Sequence, residues 1–496
     1  MVNAESKQEF AEDESCEGLR NRGNQAFKAG DASEAENLYT EAIDHGNKTL
    51  SDCFSKRATV RESLGRKRDA INDLKCSIAL DLSLISEKYR VAECYLLLGE
   101  VETAMQYYQR CIKSGEGVCL DRGIVIKASN GLQKAEKVAE SSHRSAELLK
   151  QQTCDAARSA LEIIDDALSI SRYSEKLLEM KGECLCKLQK YDEAIKLCEQ
   201  TLDFAEKNFA NDSVRLWRCH IMSKSYYHLG KLEEALDLIE KQKQVISVND
   251  GSGSKSQESL IPLETTIREL LAHRQAGNKA FQSGKFAEGL DHYNAAISKS
   301  VESQPFAAIC FCNRAAAHQG LGQIIDAIAD CNVSMALDEN YAKATSRRAT
   351  LYEMIRDYVD AATDLQRLIS LLENEAQGSS SKELRKARER LSSVEEKAKS
   401  EIPLDLYLIL GTKSSDDGSV IKKAYKKAAL INHSDKVAQL LKRSVRLNDR
   451  QLWKDICEKV KKDADNLFKM IGKAYDVLSD TAKRKEYNLE EETRGE

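Results

Sequence analysis

Five side chains in the second half of the chain have the types and spacing to hold carboxylates. Arg274 and Asn278 lie four apart, as do Lys343 and Arg347, so each pair shares one face of a helix. Asn313 falls at the matching inner position between them. Three cations and two amides along one groove can take a chain-terminal carboxylate and a neighbouring acidic side chain through charge-assisted hydrogen bonds, with the amides fixing the peptide backbone. A second basic group, Lys422/Lys426 and Lys423/Lys427, makes a positive helix face near the end of the chain. Nothing comparable points to catalysis. There is no phosphate-cradling glycine loop, no nucleophile elbow and no metal-spaced His/Cys set, so the expectation is a non-enzyme with no cofactor and no metal.

The elements that must position these residues are helices. Only 3 of 496 residues are proline, 31% are charged and 42% hydrophobic, a balance that disfavours a turn-rich β architecture and predicts an all-α chain. The net charge of −5 makes no whole-protein case for nucleic acid. The 15 cysteines sit mostly at apolar helical positions, with no CxxC pair; Cys184/Cys186 and Cys310/Cys312 are two apart and point in different directions on a helix. They read as buried thiols in a reducing compartment. No stretch is apolar enough to span a membrane, and MVNAESKQEFAEDESCEG has no apolar signal core, so the expectation is a soluble, cytoplasmic or nuclear chain.

One register recurs along the sequence: a first helix, a turn often carrying Gly, and a small residue opening a second helix. The small-residue markers are Ala35, Ala70, Ala104, Ala160, Ala194, Ala235, Gly289, Ala327 and Ala361, with 34 residues the commonest interval and two long gaps after the third and sixth. The segments RGNQAFKAGDASEAENLYTEAI, KGECLCKLQKYDEAIKLCEQTL and AGNKAFQSGKFAEGLDHYNAAI resemble the tetratricopeptide (TPR) repeat, although Asp81-Leu82 and Asp338-Glu339 stand where the family often has Asp-Pro. The resemblance implies a helix–turn–helix solenoid of about nine repeats in three triads, in which stacking completes a core that one helix pair cannot bury alone. We expect triads at residues 16–114, 128–248 and 263–376, a polar linker at 249–262, and a capping helix at 381–400 with Leu384, Ala387, Leu391 and Val394 as its apolar stripe.

Within that family, Arg274, Asn278, Asn313, Lys343 and Arg347 match the two-carboxylate clamp of TPR co-chaperones, with Arg274 in place of the more usual Lys. The clamp implies binding of the C-terminal Glu-Glu-Val-Asp of cytosolic 70- and 90-kDa heat-shock chaperones. The first triad has a partial version: Arg20, Asn24 and Arg90 match, while Lys56 takes the second Asn position and Ser86 the Lys position. The middle triad places Ser145, Leu149, Met180, Trp217 and Ile221 there, which forbids a clamp and suits either helix packing or contact with an apolar client segment.

After Pro403 the balance turns basic, 20 Lys/Arg against 16 Asp/Glu, and PLDLYLILG, VIKKAYKKAALINHSDK and DNLFKMIGKAYDVLSDTAKRKEYN resemble the J domain of the DnaJ family over 403–490. Ile421, Ala424, Tyr425 and Ala428 should pack against Phe468, Ile471, Tyr475 and Leu478. The resemblance assigns Lys422, Lys423, Lys426 and Lys427 to docking on the 70-kDa chaperone's ATPase domain. It assigns His433, Ser434 and Asp435 to the signalling tripeptide, where the family has Pro between His and Asp; Ser434 removes the fixed φ that stiffens the loop. The segment from about Val437 to Lys462, with a helix predicted over DRQLWKDICEKV, is longer than in compact members and has no evident purpose in the sequence. The order of the two parts resembles TPR-bearing DnaJ proteins of subfamily C. It implies a co-chaperone adaptor with heat-shock chaperones, and unfolded clients, as partners. The alternative is an interaction scaffold with an inert J-like domain and non-chaperone partners.

Overall fold

The computed structural model describes residues 15–45, 50–115, 122–209, 213–249, 260–300, 302–374, 381–400, 402–431 and 450–495. Among them are 23 helices and no strand. Eighteen form nine helical pairs: α1 (Cys16–Lys28) with α2 (Ala32–Asp44), α3 (Leu50–Ser63) with α4 (Lys67–Leu80), and α5 (Ile85–Leu98) with α6 (Val101–Gly115). Next come α7 (Arg122–Lys150) with α8 (Cys154–Ile170), α9 (Glu175–Lys187) with α10 (Tyr191–Asn208), and α11 (Ser213–His228) with α12 (Leu232–Asn249). The last three pairs are α13 (Ile261–Gln282) with α14 (Phe286–Lys299), α15 (Gln304–Gly320) with α16 (Ile324–Leu337), and α17 (Ala342–Met354) with α18 (Tyr358–Asn374). Five helices follow: α19 (Ser381–Ala398), α20 (Leu406–Leu410), α21 (Gly418–Ile431), α22 (Arg450–Ser479) and α23 (Thr481–Gly495).

Local chemistry explains the pairing. All nine marker residues fall on second helices and all nine are buried, because a small side chain there lets the first helix cross closely. All nine intrarepeat turns pass through one residue at positive φ. Six use glycine, and Gln152, Gln189 and Arg356 take the place in the fourth, fifth and ninth repeats, where a Cβ makes the turn costlier. Helix starts are capped by side-chain oxygens: Ser15 accepts from the Gly18 amide, Asp31 from Glu34 and Asp405 from Leu408. Pro262 and Pro305 occupy first turns of α13 and α15, where a missing N–H costs nothing. Buried ion pairs also recur at one spacing. Arg57–Asp73, Arg314–Asp330 and Arg348–Asp364 are each bidentate and each 16 residues apart, tying first helix to second.

The described residues divide into two compact units. The first runs to Ser225 and takes in the end of α12 from Lys241; the second holds Tyr226–Glu240 and α13 onward. In the second unit the last two repeats, the capping helix and the C-terminal helices share one apolar core, from Ile324 and Leu365 through Ala387 and Val394 to Ile421, Ile471 and Tyr487. Ala387 and Val394 of α19 are buried, with Leu384 and Leu391 packed beside them. In the J-like part, Ile421, Ile471 and Leu478 are buried and the Tyr425 and Tyr475 rings stack at 4.0 Å. Phe468 departs from expectation: it is 39% exposed, and Leu467 takes the core position. Leu467, Ile471, Ala474 and Leu478 are spaced four, three and four along α22, the period that keeps one helical stripe inward.

Candidate functional site

In the second unit a groove of about 810 Å³ runs along α17 and ends against α19. Its walls include Phe281, Ala316, Lys343, Ser346, Arg347 and Thr350, with Lys386 and Arg390 from the capping helix. Lys343 is exposed and Arg347 half-buried, and neither has an ion-pair partner among the described residues. Both charges reach the Cys312 thiol on α15, whose pKa burial raises while Arg347 and Lys343 pull it back. Burial likewise pushes the Tyr293 hydroxyl up to about 12, against the opposing charge of Arg347.

The two amides are joined. Tyr293 donates its hydroxyl to Asn278 Oδ1 at 2.8 Å, and Asn313 Nδ2 reaches the same oxygen at 3.4 Å. Tyr293 comes this close because residue 277 is glycine: a Cβ there would lie 2.6 Å from the ring. Arg274 is already engaged. It bonds Glu233 on α12, and its guanidinium sits 5.6 Å from the centre of the Phe306 ring. Of the five predicted residues, therefore, two line the groove as unpaired cations, two form a linked amide pair, and one is held by a half-exposed carboxylate.

In the first unit all three cations of the partial set are paired. Arg20 pairs with Glu17 at 3.1 Å and Asp52 at 3.4 Å, Lys56 with Asp52 at 2.9 Å, and Arg90 with Glu62 at 3.0 Å. Asn24 accepts from the Tyr39 hydroxyl at 2.8 Å, repeating the Tyr293–Asn278 bond at the same fifteen-residue spacing. Ser86 donates to Glu87. In the middle triad Ser145, Leu149, Met180, Trp217 and Ile221 are all buried, and the Trp217 indole donates to Glu175 at 2.9 Å, so these positions are helix packing and not an open apolar face.

Lys422, Lys423, Lys426 and Lys427 are all exposed on α21, without ion-pair partners among the described residues. His433, Ser434 and Asp435 lie outside the described residues, as do 437–449 of the long insert; its remainder begins α22. No group of three His, Cys, Asp or Glu side chains could hold a metal, and no cysteine is disulfide-bonded, among the described residues. Among the described residues no helix is long and apolar enough to cross a membrane. Sequence reasoning missed Lys386 and Arg390 on the groove wall and Glu233 on Arg274. The amide-holding tyrosines were the findable signal, since Asn24/Tyr39 and Asn278/Tyr293 share one spacing.

A tetratricopeptide-repeat family profile matches residues 88–114. The chain is 25% identical over 492 residues to DnaJ homolog subfamily C member 7 of Homo sapiens, covering 98% of this chain and 89% of that protein. The Dictyostelium discoideum homolog of the same protein is 27% identical over 484 residues, covering 97% and 80%. Among solved structures, the TPR domain of P58(IPK) superposes with a TM-score of 0.60 at 16% identity, covering 77% of this chain and 99% of that one.

Proposed function

On the premise that this is a TPR-containing protein of the DnaJ subfamily C type, we propose that it is a non-catalytic co-chaperone adaptor. The last triad grips an acidic C-terminal tail of the Glu-Glu-Val-Asp kind, carried by 70- and 90-kDa heat-shock chaperones, and the lysine face of α21 contacts the ATPase domain of the 70-kDa partner. One observation carries the reading: Lys343 and Arg347 line a groove, shared with Glu383 of the capping helix, without an ion-pair partner among the described residues, while Arg90, at the position of Arg347 in the first triad, is held by Glu62. A terminal carboxylate supplies the missing anion, and the joined Asn278 and Asn313 amides offer hydrogen bonds to the peptide backbone. Cysteines that form no disulfide among the described residues suit the reducing cytoplasm.

Calorimetry with an EEVD-ending peptide against its C-terminal amide tests the clamp. The free acid should bind at least about tenfold tighter, since the amide removes a charge-assisted contact; equal affinities would refute it. A second reading, a scaffold with an inert J-like domain, is favoured by Ser434 alone. Single-turnover ATP hydrolysis by a 70-kDa chaperone separates the two. Stimulation by the natural chain supports the adaptor acting on its partner, whereas stimulation only after Ser434→Pro supports the inert form.

A further inference from the structure

Two second helices of the chain are close copies with different surroundings. α4 reads KRDAINDLKCSIAL and α16 reads IIDAIADCNVSMAL, identical at seven of fourteen positions and both followed by Asp. The inward residues are the conserved part: Ala70 and Ala327, Ile71 and Ile328, Asp73 and Asp330, Ser77 and Ser334 are all buried. The outward faces diverge. Asn72, Lys75, Cys76, Ala79 and Leu80 of α4 are exposed, whereas Val333, Ala336 and Leu337 of α16 are buried. Leu80 is 54% exposed and its counterpart Leu337 only 9%. A helix buried all round needs a cover on its second side.

That cover is the start of α22. Ile456 and Val460 pack on Phe311, Val333, Ala336 and Leu337, and Lys459 Nζ lies 2.7 Å from Glu339 just past the end of α16. Two further points fasten the same part of the chain. The Asp405 amide donates to the Ile355 carbonyl at 3.0 Å, and Arg356 binds both oxygens of Glu491 at 2.8 Å. Arg356 is the ninth turn's left-handed residue, where most of the other repeats use glycine.

We infer that the first turns of α22 are an intramolecular docking element. They seat on an outer face of the eighth repeat that is apolar for this purpose, and they hold the J-like helices at a fixed place on the last triad. This assigns a purpose to the described end of the long insert. The lysines of α21 stay exposed in the docked form, so a partner that engages both the groove and the lysine face meets them at one set separation, not on a tether. The inference does not depend on what the groove binds.

Hydrogen-exchange mass spectrometry on the full chain tests it. Ile456→Asp with Val460→Asp should speed exchange about tenfold or more over 324–337 and 454–463 and leave 467–478 protected. Val333→Lys, which alters only the repeat side, should release 454–463 equally and keeps the test valid if the α22 variant fails to fold. Leu80→Asp, at the uncovered copy, should change neither segment. Natural-chain exchange over 454–463 as fast as in the variants, or continued protection there in Val333→Lys, would overturn the docking.

Discussion

Replacing both Lys343 and Arg347 with alanine should cost an EEVD-ending peptide about a hundredfold in affinity. The magnitude follows from where the two charges sit. Arg347 is half-buried beside the Cys312 thiol and the Tyr293 ring, so its charge-assisted hydrogen bond to a carboxylate is worth about 2 kcal/mol. Lys343 is exposed, which limits it to about 1 kcal/mol. At 1.4 kcal/mol per decade the sum is roughly two powers of ten, divided as about thirtyfold for Arg347→Ala and about fivefold for Lys343→Ala.

Calorimetry near physiological salt reads all three variants, and a repeat at high salt should shrink the Lys343 effect more than the Arg347 effect, because screening acts most on exposed charges. Arg90→Ala is the internal control. Its guanidinium is already held by Glu62, Thr59 and the Ser55 hydroxyl, so its loss should change the affinity less than about twofold. A double variant that binds as well as the natural chain would refute the reasoning, and so would an Arg90→Ala effect as large as that of Arg347→Ala.

Other outcomes follow from the same geometry. Glu233→Gln should tighten peptide binding a few-fold by calorimetry, because Arg274 then no longer has to exchange one carboxylate for another. Gly277→Ala drives a Cβ to 2.6 Å from the Tyr293 ring and should cost about 2 kcal/mol in urea unfolding, together with weaker peptide binding as Tyr293 leaves Asn278. Burial, helped by the charge of Lys224, holds His220 below the ordinary histidine value, so the unfolded chain takes up a proton that the fold refuses. Stability should therefore fall as pH drops below about 6.5, and His220→Phe should flatten that part of the urea-midpoint profile.

The repeats were legible because each carries its own local evidence. Ala35, Ala70 and their counterparts mark the helix crossings, and the glycines at 30, 65, 99, 230, 284 and 322 mark the turns. The positions proposed for a clamp were picked out on the same kind of local evidence: Arg274/Asn278 and Lys343/Arg347 are helix-face pairs whose spacing is visible in one dimension. The state of those side chains was not. Whether Arg90 is open to a ligand depends on Glu62, 28 residues earlier, and whether Arg20 is open depends on Asp52, 32 residues later. Such pairs join neighbouring repeats, and no local period announces them. The docking of α22 lay between these cases. Ile325 and Val333, standing where α4 has Arg68 and Cys76, make α16 apolar on both sides, a pattern that called for a cover without saying which segment supplies it. Phe468 was misplaced by one residue, since Leu467 and Phe468 are equally apolar neighbours and only the packed stripe chooses between them.

Counting cations cannot distinguish the first groove from the last, since each has three. What separates them is the supply of internal anions. Asp52 bridges Arg20 and Lys56, and Glu62 holds Arg90, so an incoming acidic tail must displace a carboxylate from every cation it meets. That exchange swaps one exposed ion pair for another and returns little free energy. In the last triad only Arg274 demands the exchange; Lys343 and Arg347 have no ion-pair partner among the described residues, and the Asn278–Asn313 pair is set by Tyr293 before a ligand arrives. Preorganisation of that kind lowers the cost of binding. Two sets of side chains built on one motif thus differ in their surroundings: the cations of the first are each held by an internal carboxylate, and Lys343 and Arg347 of the last are not.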